Sequence, residues 1–432
     1  MDAESNRHTK ITVAEMSWVE PEEMTVGGEC MNLPLSNIKV VDFSQVLAGP
    51  ATTQLLADQG AEVIKVEPPE GDSGRHYLPI PNSNGLSQGY VALNRNKRNI
   101  VLDLAIPKGL EVAHRLARWA DVAVCNLRFS VPQRLGIAYE DLVAVNPRIV
   151  YASITAYGEK GPDATLPGYD LVVQAKSGIT ANRRMSDGTP IGSSIFYADM
   201  AGAMLASYAV MVALHERELT GRGQKVEVNL LHVYLALQAA QMIKVPNYNP
   251  PAQGRRPAAL ATPYRGSDGM WIHIHAATDR QWRSLCRALQ LNHLLEDADF
   301  ATPEKRREQA EVIYDILFNL IATKPAREWE AVLKAGNSPC SVVQEVEDVW
   351  QDPQILANDM FLEFDQPELG PISVVNTPFH MSGSAEVTRF RRPAPHMGEH
   401  TEEIISELGY SEIEIAALRS EGVFGYQPYG LP

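Results

Sequence analysis

Short runs of β-branched and apolar residues alternate with longer amphipathic segments through the first third of the chain. The runs predict five strands, at residues 38–43, 61–67, 98–104, 121–125 and 149–154. Between two of them, segment 109–119 repeats its apolar positions with the period of a helix. Since strands and helices alternate, we expect a parallel sheet in a doubly wound, Rossmann-like α/β domain that binds ligands at the carboxyl ends of its strands.

The pattern becomes more helical after residue 170. Segments 196–218 and 230–243 are apolar nearly all round, which is typical of helices buried in a core or in an oligomer interface. A linker rich in Pro and Asn at 245–254 precedes a hairpin with its turn at Asp268-Gly269. This hairpin opens a smaller α+β domain, which we place at residues 255–338.

The remaining sequence is assigned to the large domain, which then comprises residues 35–244 and 339–432. Residues 1–34 form an N-terminal arm that we expect to be flexible. The C-terminal part predicts strands and then two helices, at residues 372–375, 377–381, 398–409 and 412–419.

Composition narrows the possible functions. The 432 residues carry a formal net charge of −15, with 45% hydrophobic and 21% charged residues, so general binding to nucleic acid is disfavoured. The four cysteines show no CxxC spacing, so we expect no metal site, no disulfide framework and a cytoplasmic location. No stretch of about 18 apolar residues predicts a membrane span, and residues 1–33 lack the apolar region of a secretory signal.

The first strand–helix turn, Ser44 to Pro50, contains one glycine where a dinucleotide-binding loop needs three. Glu67 ends the second strand, as a ribose-binding acid would, but a nicotinamide or flavin dehydrogenase is disfavoured. Positive charge is concentrated at Asn94–Arg98, at Asn126–Arg128 and at Arg134. These cations are either ordinary surface charge or a cradle for phosphate groups in an otherwise acidic protein.

A run of Pro and Gly residues at 161–168 leads to Asp170, and an apolar run compatible with a helix follows it. Asp170 therefore lies at or just before a helix start, where free backbone N–H groups favour an anion. Local sequence leaves two interpretations open, a helix cap and a functional carboxylate.

Several segments, in this order along the chain, resemble the class III CoA-transferases, the family of formyl-CoA transferase and carnitine CoA-transferase. The resemblance covers about residues 35–423. The matching segments are 41–43, 48–50, 60–68, 94–104, 161–178, 198–200, 220–224 and 398–401.

The resemblance implies that Asp170 is the nucleophile, which forms a mixed anhydride with the acyl group of an acyl-CoA and then an aspartyl-CoA thioester. It implies that CoA is bound and released as a substrate, with no permanent cofactor, and that two chains form an interlocked homodimer. The implied CoA contacts are the main chain of Val46 and Leu47 and the residues Lys97, Asn126, Arg134 and Leu135. Arg128, from the basic segment 126–128, is a further candidate for CoA binding.

The sequence also departs from the family pattern. The usual Asn-Phe-Arg-Pro-Gly is Asn126-Leu127-Arg128-Phe129-Ser130, and Pro68 replaces an arginine of some members. The glycine-rich loop of formyl-CoA transferase is not evident, which disfavours formate and oxalate as substrates.

Each covalent intermediate forms and breaks down through an oxyanion. Gly192–Ser194 is a candidate for stabilising its negative charge.

Two rival functions stay open on the sequence. Acyl-CoA racemases of the same fold need two bases, typically Asp and His, whereas Tyr169 precedes Asp170 and no histidine occurs between His114 and His215. A non-catalytic CoA-binding protein is the other alternative. The acyl donor and the acceptor acid, small or medium in size, are not specified by the sequence.

Overall fold

Six parallel strands form the sheet at the centre of the larger of two compact units, which comprises residues 1–243 and 360–432. The computed structural model describes residues 33–425 and the strand pair Thr25–Val26 and Glu29–Cys30, except residues 82, 84, 183, 186, 247–258 and 385–389. Most of the predicted N-terminal arm and of the predicted linker therefore lies outside the described residues.

The strands of this sheet are β1 (Lys39–Asp42), β2 (Glu62–Glu67), β3 (Lys97–Val101), β4 (Val122–Cys125), β5 (Val150–Thr155) and β6 (Lys225–Asn229). Their order is β3-β2-β1-β4-β5-β6, and all five neighbouring pairs are parallel. This confirms the predicted parallel sheet. The order reverses between β1 and β4, and in doubly wound sheets such a switch point forms a crevice for ligands.

Helices cover both faces of the sheet. Those that lie in or near the sheet connections are α1 (Ala48–Ala57), α2 (Gln88–Asn94), α3 (Pro107–Trp119), α4 (Ser130–Leu135), α5 (Tyr139–Val145), α6 (Asp170–Lys176), α7 (Tyr197–Thr220) and α8 (Leu230–Leu237). Val40 and Val41 are both fully buried, but they belong to cores on opposite faces of the sheet. Strands buried on both faces explain the nearly continuous apolar runs of the sequence.

Residues 244–359 form the second compact unit. Its antiparallel sheet contains β7 (Ala261–Arg265), β8 (Trp271–His275) and β9 (Cys340–Val342), and the turn between β7 and β8 confirms the hairpin predicted at Asp268-Gly269. Its helices are α9 (Asp279–Ala288), α10 (His293–Glu296), α11 (Pro303–Glu308), α12 (Ala310–Ile321), α13 (Ala326–Ala335), α14 (Val346–Val349) and α15 (Pro353–Leu356). The predicted boundary at residue 338 differs from this division, because β9 pairs with β8 and keeps the following residues in the second unit.

The chain returns to the larger unit with an antiparallel pair, β10 (Phe361–Gln366) and β11 (Gly370–Val375). The prediction of a strand at 377–381 is wrong. Pro378 has no N–H for a sheet, and Thr377 is buried with its hydroxyl donating to Asp58. Two helices follow as predicted, α16 (Thr401–Glu407) and α17 (Glu412–Ser420).

Helix α7 is exceptional in its apolar surface. Among the described residues it is the one helix that is long and apolar enough to cross a membrane, but only 39% of its most apolar window is buried within this chain, and core helices of soluble proteins pass the same test. Its large exposed apolar residues are Tyr197, Met200, Met204, Leu205, Tyr208, Met211, Val212 and Leu219. Most recur at a spacing of three or four residues, so they share one side of the helix.

Candidate active site

The Asp170 carboxylate is buried, with 2% of the residue exposed, and it accepts four hydrogen bonds. Its Oδ2 receives the backbone N–H groups of Ala198 and Asp199, at 2.8 and 3.0 Å. Its Oδ1 receives the Tyr234 hydroxyl at 2.5 Å and the Gln174 side-chain amide at 3.0 Å. A buried carboxylate needs such partners, since each missing one would cost about 1–3 kcal/mol.

Local sequence places Asp170 at the start of α6, as predicted. The segment before it passes close to the loop after β5, because a Cβ at Gly168 would lie only 2.3 Å from the Cβ of Ala156. Gly168 is thus the residue that permits this close approach. The Asp170 side chain accepts hydrogen bonds from the first turn of α7.

The four donors belong to three helices. Ala198 and Asp199 lie in the first turn of α7, whose N–H groups have no partner within the helix. Gln174 lies one turn after Asp170 in α6, and Tyr234 lies in α8. Asp170 therefore does cap a helix, as one interpretation of the sequence had it. The helix is not its own α6 but α7, which begins 27 residues later in the sequence. An anion at this position is also favoured by the dipole of a long helix.

Two titratable groups surround the carboxylate. Burial, and then the charge of Asp170, raise the pKa of the half-buried Asp199 carboxyl to about 7. Burial, followed by its hydrogen bond to Asp170, raises the pKa of Tyr234 well above the ordinary tyrosine value. Tyr234 therefore stays protonated near neutral pH and remains a donor. The arrangement can hold one oxygen of the Asp170 carboxylate in position to attack, and it can stabilise negative charge on the other oxygen of the same carboxylate.

A second cluster lies at the turn after β1, which contains the predicted CoA contacts Val46 and Leu47. Val46 has φ = +70°, a conformation that a β-branched residue avoids, and its N–H donates to Asp72 at 2.9 Å. Asn126, which follows β4, clamps the same turn by exchanging two hydrogen bonds with the backbone of Gln45, at 2.8 and 2.6 Å. Backbone strain of about 1–3 kcal/mol is retained chiefly at functional sites.

Buried charged side chains on the neighbouring strands stabilise this turn. Lys65 donates to the carbonyl of Ser44 at 2.8 Å and pairs with Asp72 at 2.8 Å. Asp42 accepts from the backbone of Ser44 and pairs with Lys97. Although burial opposes ionisation, Lys97 and Lys65 hold the pKa of Asp42 at about 2. The turn is therefore supported by charged groups from β1, β2 and β3.

Lys97 is fully buried, contrary to the expectation of a direct CoA contact. Its ammonium donates to Asp42 at 3.1 Å, to the carbonyl of Pro50 at 2.9 Å and to Asn94 at 2.8 Å. Because these three acceptors use all three of its protons, Lys97 offers no free donor to a ligand in this structure. Lys97 therefore acts on the turn only indirectly, as the buried counter-ion of Asp42.

The rest of the basic run Asn94–Arg98 is also paired within the protein. Arg95 binds Asp58 at 2.5 Å, and Arg98 contacts Glu62, Glu403 and Glu407. The interpretation of this run as a phosphate cradle is therefore corrected. Glu67 does not face a ribose site either, since it is buried and binds Arg75, Tyr90 and Asn99.

Arg128 and Arg134 behave differently from the basic run. Both are exposed, and neither forms an ion pair with any other residue that the structure describes. Arg128 lies between β4 and α4, and Arg134 lies in the last turn of α4, next to the half-buried Leu135. They follow the same strand end as Asn126, so they lie in the connection that leaves the switch point of the sheet.

A helix contact joins the Asp170 cluster to the turn after β1. The Ser207 hydroxyl of α7 donates to the carbonyl of Thr52 in α1 at 3.3 Å, and α1 begins directly after the turn. The helix that Asp170 caps is thus packed on the helix that follows Leu47. The predicted site residues other than Lys97 belong to this connected region or to the connection after β4.

None of the four donors to Asp170 is among the site residues predicted from the sequence. Gln174 could have been found from its spacing of four residues from Asp170, which places the two on one helix face. Tyr234 is 64 positions away, and nothing local identifies it. Gly192–Ser194 does not contact Asp170 directly, because the N–H of Ser193 donates to Gln174, which in turn donates to Asp170.

Comparison with known proteins gives a consistent family. The model of CoA-transferase family III matches residues 35–401. A succinate–glutarate CoA-transferase of Agrobacterium fabrum is 33% identical over 390 residues, which cover 87% of this chain and 96% of that protein. An (R)-2-hydroxy-4-methylpentanoate CoA-transferase of Clostridioides difficile is 30% identical over 404 residues, covering 91% and 100%.

Solved structures agree with this assignment. The crystal structure of the hypothetical protein Rv3272 from Mycobacterium tuberculosis superposes with a TM-score of 0.75 at 32% identity, covering 86% of this chain and 99% of that chain. The resemblance noted in the sequence is thereby confirmed over most of the length of both proteins. The chain belongs to CoA-transferase family III, and it is a CoA-transferase by family.

Proposed function

We propose that the protein moves CoA from an acyl-CoA donor to a free carboxylic acid, with Asp170 as the covalent carrier. The observation that carries this proposal is the buried carboxylate of Asp170 with its four donors. Such an arrangement holds a weak nucleophile in one orientation and offers hydrogen bonds where charge develops in the transition state.

The reaction proceeds in four displacements. An oxygen of Asp170 attacks the thioester carbonyl of the donor, the C–S bond breaks, and CoA leaves as a thiolate. The thiolate attacks Cγ of Asp170 in the resulting anhydride and releases the donor acid, which leaves aspartyl-CoA. The acceptor carboxylate then attacks Cγ and expels the thiolate, which finally attacks the acceptor acyl carbon and regenerates the Asp170 carboxylate. No net proton is required, and each step exchanges one acyl bond for another.

The surroundings of Asp170 favour transfer over racemisation. A racemase of this fold is expected to pair the aspartate with a histidine base, but Tyr169 precedes Asp170 and no histidine occurs between His114 and His215. The relatives described above are named as transferases that act with succinate, glutarate or a hydroxy acid. We therefore propose a small or medium organic acid as the acceptor.

We also propose that CoA lies against the turn after β1 and the connection after β4. The main chain of Val46 and Leu47 and the side chain of Asn126 would contact the coenzyme. Arg128 and Arg134 would bind its phosphate groups, since they are exposed cations without a carboxylate partner in the described part of the chain. Leu135 would add apolar contact. A local pair of cations is what an anionic ligand needs in a protein of net charge −15.

A homodimer is the assembly that we propose, in the interlocked form that the family resemblance implies. Its support is the exposed apolar side of α7, on which Met204 and Tyr208 are 46% and 68% exposed. An apolar side of this length on a soluble chain marks an interaction surface. A second copy of the chain would cover it.

Replacing Asp170 by asparagine tests the nucleophile. Because an amide does not attack a thioester, we expect CoA transfer to fall by more than about a thousandfold, while acyl-CoA still binds. Transfer is measured by chromatography of the acyl-CoA products, and binding by calorimetry. Asp163→Asn, which makes the same chemical change on a residue paired with Lys176, should keep nearly full activity. Activity of D170N within tenfold of wild type would contradict the proposal.

Arginine substitutions test the phosphate contacts. Arg128→Gln and Arg134→Gln should each raise the KM for the acyl-CoA donor about tenfold, because each removes a charge-assisted hydrogen bond, and should change kcat little. Arg118→Gln is the matched control, since Arg118 is an exposed arginine in the last turn of α3. Equal KM values in all three variants would argue against these contacts.

The pKa of Asp199 predicts a pH effect. In the free enzyme its carboxyl is neutral below about pH 7 and ionised above it, so the oxyanion that forms when Asp170 attacks the donor meets an additional negative charge at higher pH. We expect kcat/KM for the acyl-CoA donor to fall roughly fivefold or more between pH 6 and 8, in line with the repulsion of about 1 kcal/mol or more between neighbouring like charges. Asp199→Asn should flatten the profile. A variant profile that matches wild type would exclude this role.

The mass of the protein in solution tests the dimer. Light scattering should give twice the monomer mass for the wild type, and Tyr208→Glu should shift the equilibrium toward monomer, because a charge would be buried in the interface. Ile413→Glu, at an exposed position of α17, should leave the mass unchanged. A monomeric wild type would rule out the proposed assembly.

A further inference from the structure

The two oxygens of the Asp170 carboxylate have unlike partners. Oδ2 lies between two main-chain donors, the N–H groups of Ala198 and Asp199. Oδ1 lies between two side-chain donors, the Tyr234 hydroxyl and the Gln174 amide. This asymmetry distinguishes two atoms that are chemically equivalent in a free carboxylate.

The donors of Oδ2 belong to the backbone of a long helix. They are backbone groups in the first turn of a 24-residue helix, and Ala198 is fully buried. If Oδ2 left this position, two N–H groups without an intrahelical partner, one buried and one partly buried, would lose their acceptor, and the buried one alone would cost about 1–3 kcal/mol. The helix therefore keeps an oxygen at this point.

The donors of Oδ1 can do without it more easily. The Gln174 amide nitrogen also donates to the carbonyls of Ser193 and Ile195, at 3.1 and 3.3 Å. Gln174 is fixed in addition by the N–H of Ser193, which donates to its Oε1 at 3.0 Å. When Oδ1 is acylated, Gln174 retains these partners. Only the Tyr234 hydroxyl must adjust, and a hydroxyl rotates to suit its acceptor.

We propose that the protein assigns the two oxygens fixed roles: Oδ1 forms and breaks the acyl bonds, while Oδ2 stays bound to the N–H groups of Ala198 and Asp199. This assignment rests on the function proposed above. Oδ2 is then the carbonyl oxygen of each anhydride and of aspartyl-CoA. It is also the oxyanion whenever a thiolate or a carboxylate attacks Cγ, so the first turn of α7 serves as an oxyanion hole.

The bond changes predict the fate of each oxygen. Oδ1 attacks the donor acyl carbon and becomes the bridging oxygen of the first anhydride. When the CoA thiolate attacks Cγ, the bond between Cγ and this oxygen breaks, and the oxygen leaves with the donor acid. The acceptor acid supplies the bridging oxygen of the second anhydride, and this oxygen remains on Asp170 when the thiolate takes the acyl group. Each turnover therefore replaces Oδ1 and retains Oδ2.

Isotope labelling tests the assignment on the intact enzyme. The enzyme is cycled many times with unlabelled acyl-CoA and an excess of acceptor acid carrying ¹⁸O in both carboxyl oxygens, and the peptide that contains Asp170 is then weighed by mass spectrometry. We expect Asp170 to gain one ¹⁸O and to stay at one however many turnovers follow. Two ¹⁸O atoms would show that the oxygens exchange roles, which overturns the inference. No ¹⁸O at all would instead overturn the proposed anhydride route, and the inference with it.

A variant separates the contributions of the two sides. Tyr234→Phe removes one donor to Oδ1 and leaves both main-chain donors in place, so kcat should fall about tenfold or more, the effect of one hydrogen bond to a charged group. The labelling plateau should remain at one ¹⁸O, because Oδ2 is still anchored. A plateau of two in Y234F would show that the tyrosine retains the oxygen, and would contradict the role given to α7.

Discussion

The geometry of the candidate site depends on the hydrogen bonds that the first turn of α7 donates to the carboxylate of Asp170. Through them a side chain of α6 supplies the acceptors that the start of a long helix lacks, and Tyr234 brings α8 to the same point. Since α7 packs on α1 through Ser207 and Thr52, the position of the carboxylate is tied to the turn that precedes α1. The cap of α7 and the proposed nucleophile are therefore the same group, and its four hydrogen bonds hold it in one orientation.

The basic residues in this region fall into two groups. Lys65, Lys97, Arg95 and Arg98 are buried or nearly buried, and each is paired with carboxylates of the protein. Such pairs hold the loops between strands and helices, because breaking one would leave an uncompensated charge in the core. Arg128 and Arg134, by contrast, are exposed at the connection that leaves the switch point. The distinction between internal counter-ions and cations available to a ligand thus follows from burial, and the number of basic residues does not reveal it.

Periodicity predicted the strands and most helices well, because the sheet is buried on both faces and its apolar runs are nearly continuous. It also placed Asp170 at a helix start, since the Pro and Gly residues before it act locally. It failed where the cause is distant in sequence. The sequence around Lys97 does not show that Lys97 pairs with Asp42, and the sequence around Asp170 does not identify Tyr234 as a donor. The prediction of a strand at 377–381 failed because Pro378 lacks the N–H that a strand donates to its neighbour.

We propose that Asp170 carries CoA covalently between two acids. The most direct measurement is mass spectrometry of the enzyme after brief incubation with an acyl-CoA in the absence of any acceptor, with the adduct located by fragmentation of the digested peptides. We expect a mass gain of one CoA less one water on the peptide that contains Asp170, and the loss of this mass when an acceptor acid is added. An enzyme that transfers CoA while this peptide remains unmodified, or an adduct that maps to another residue, would contradict this role of Asp170.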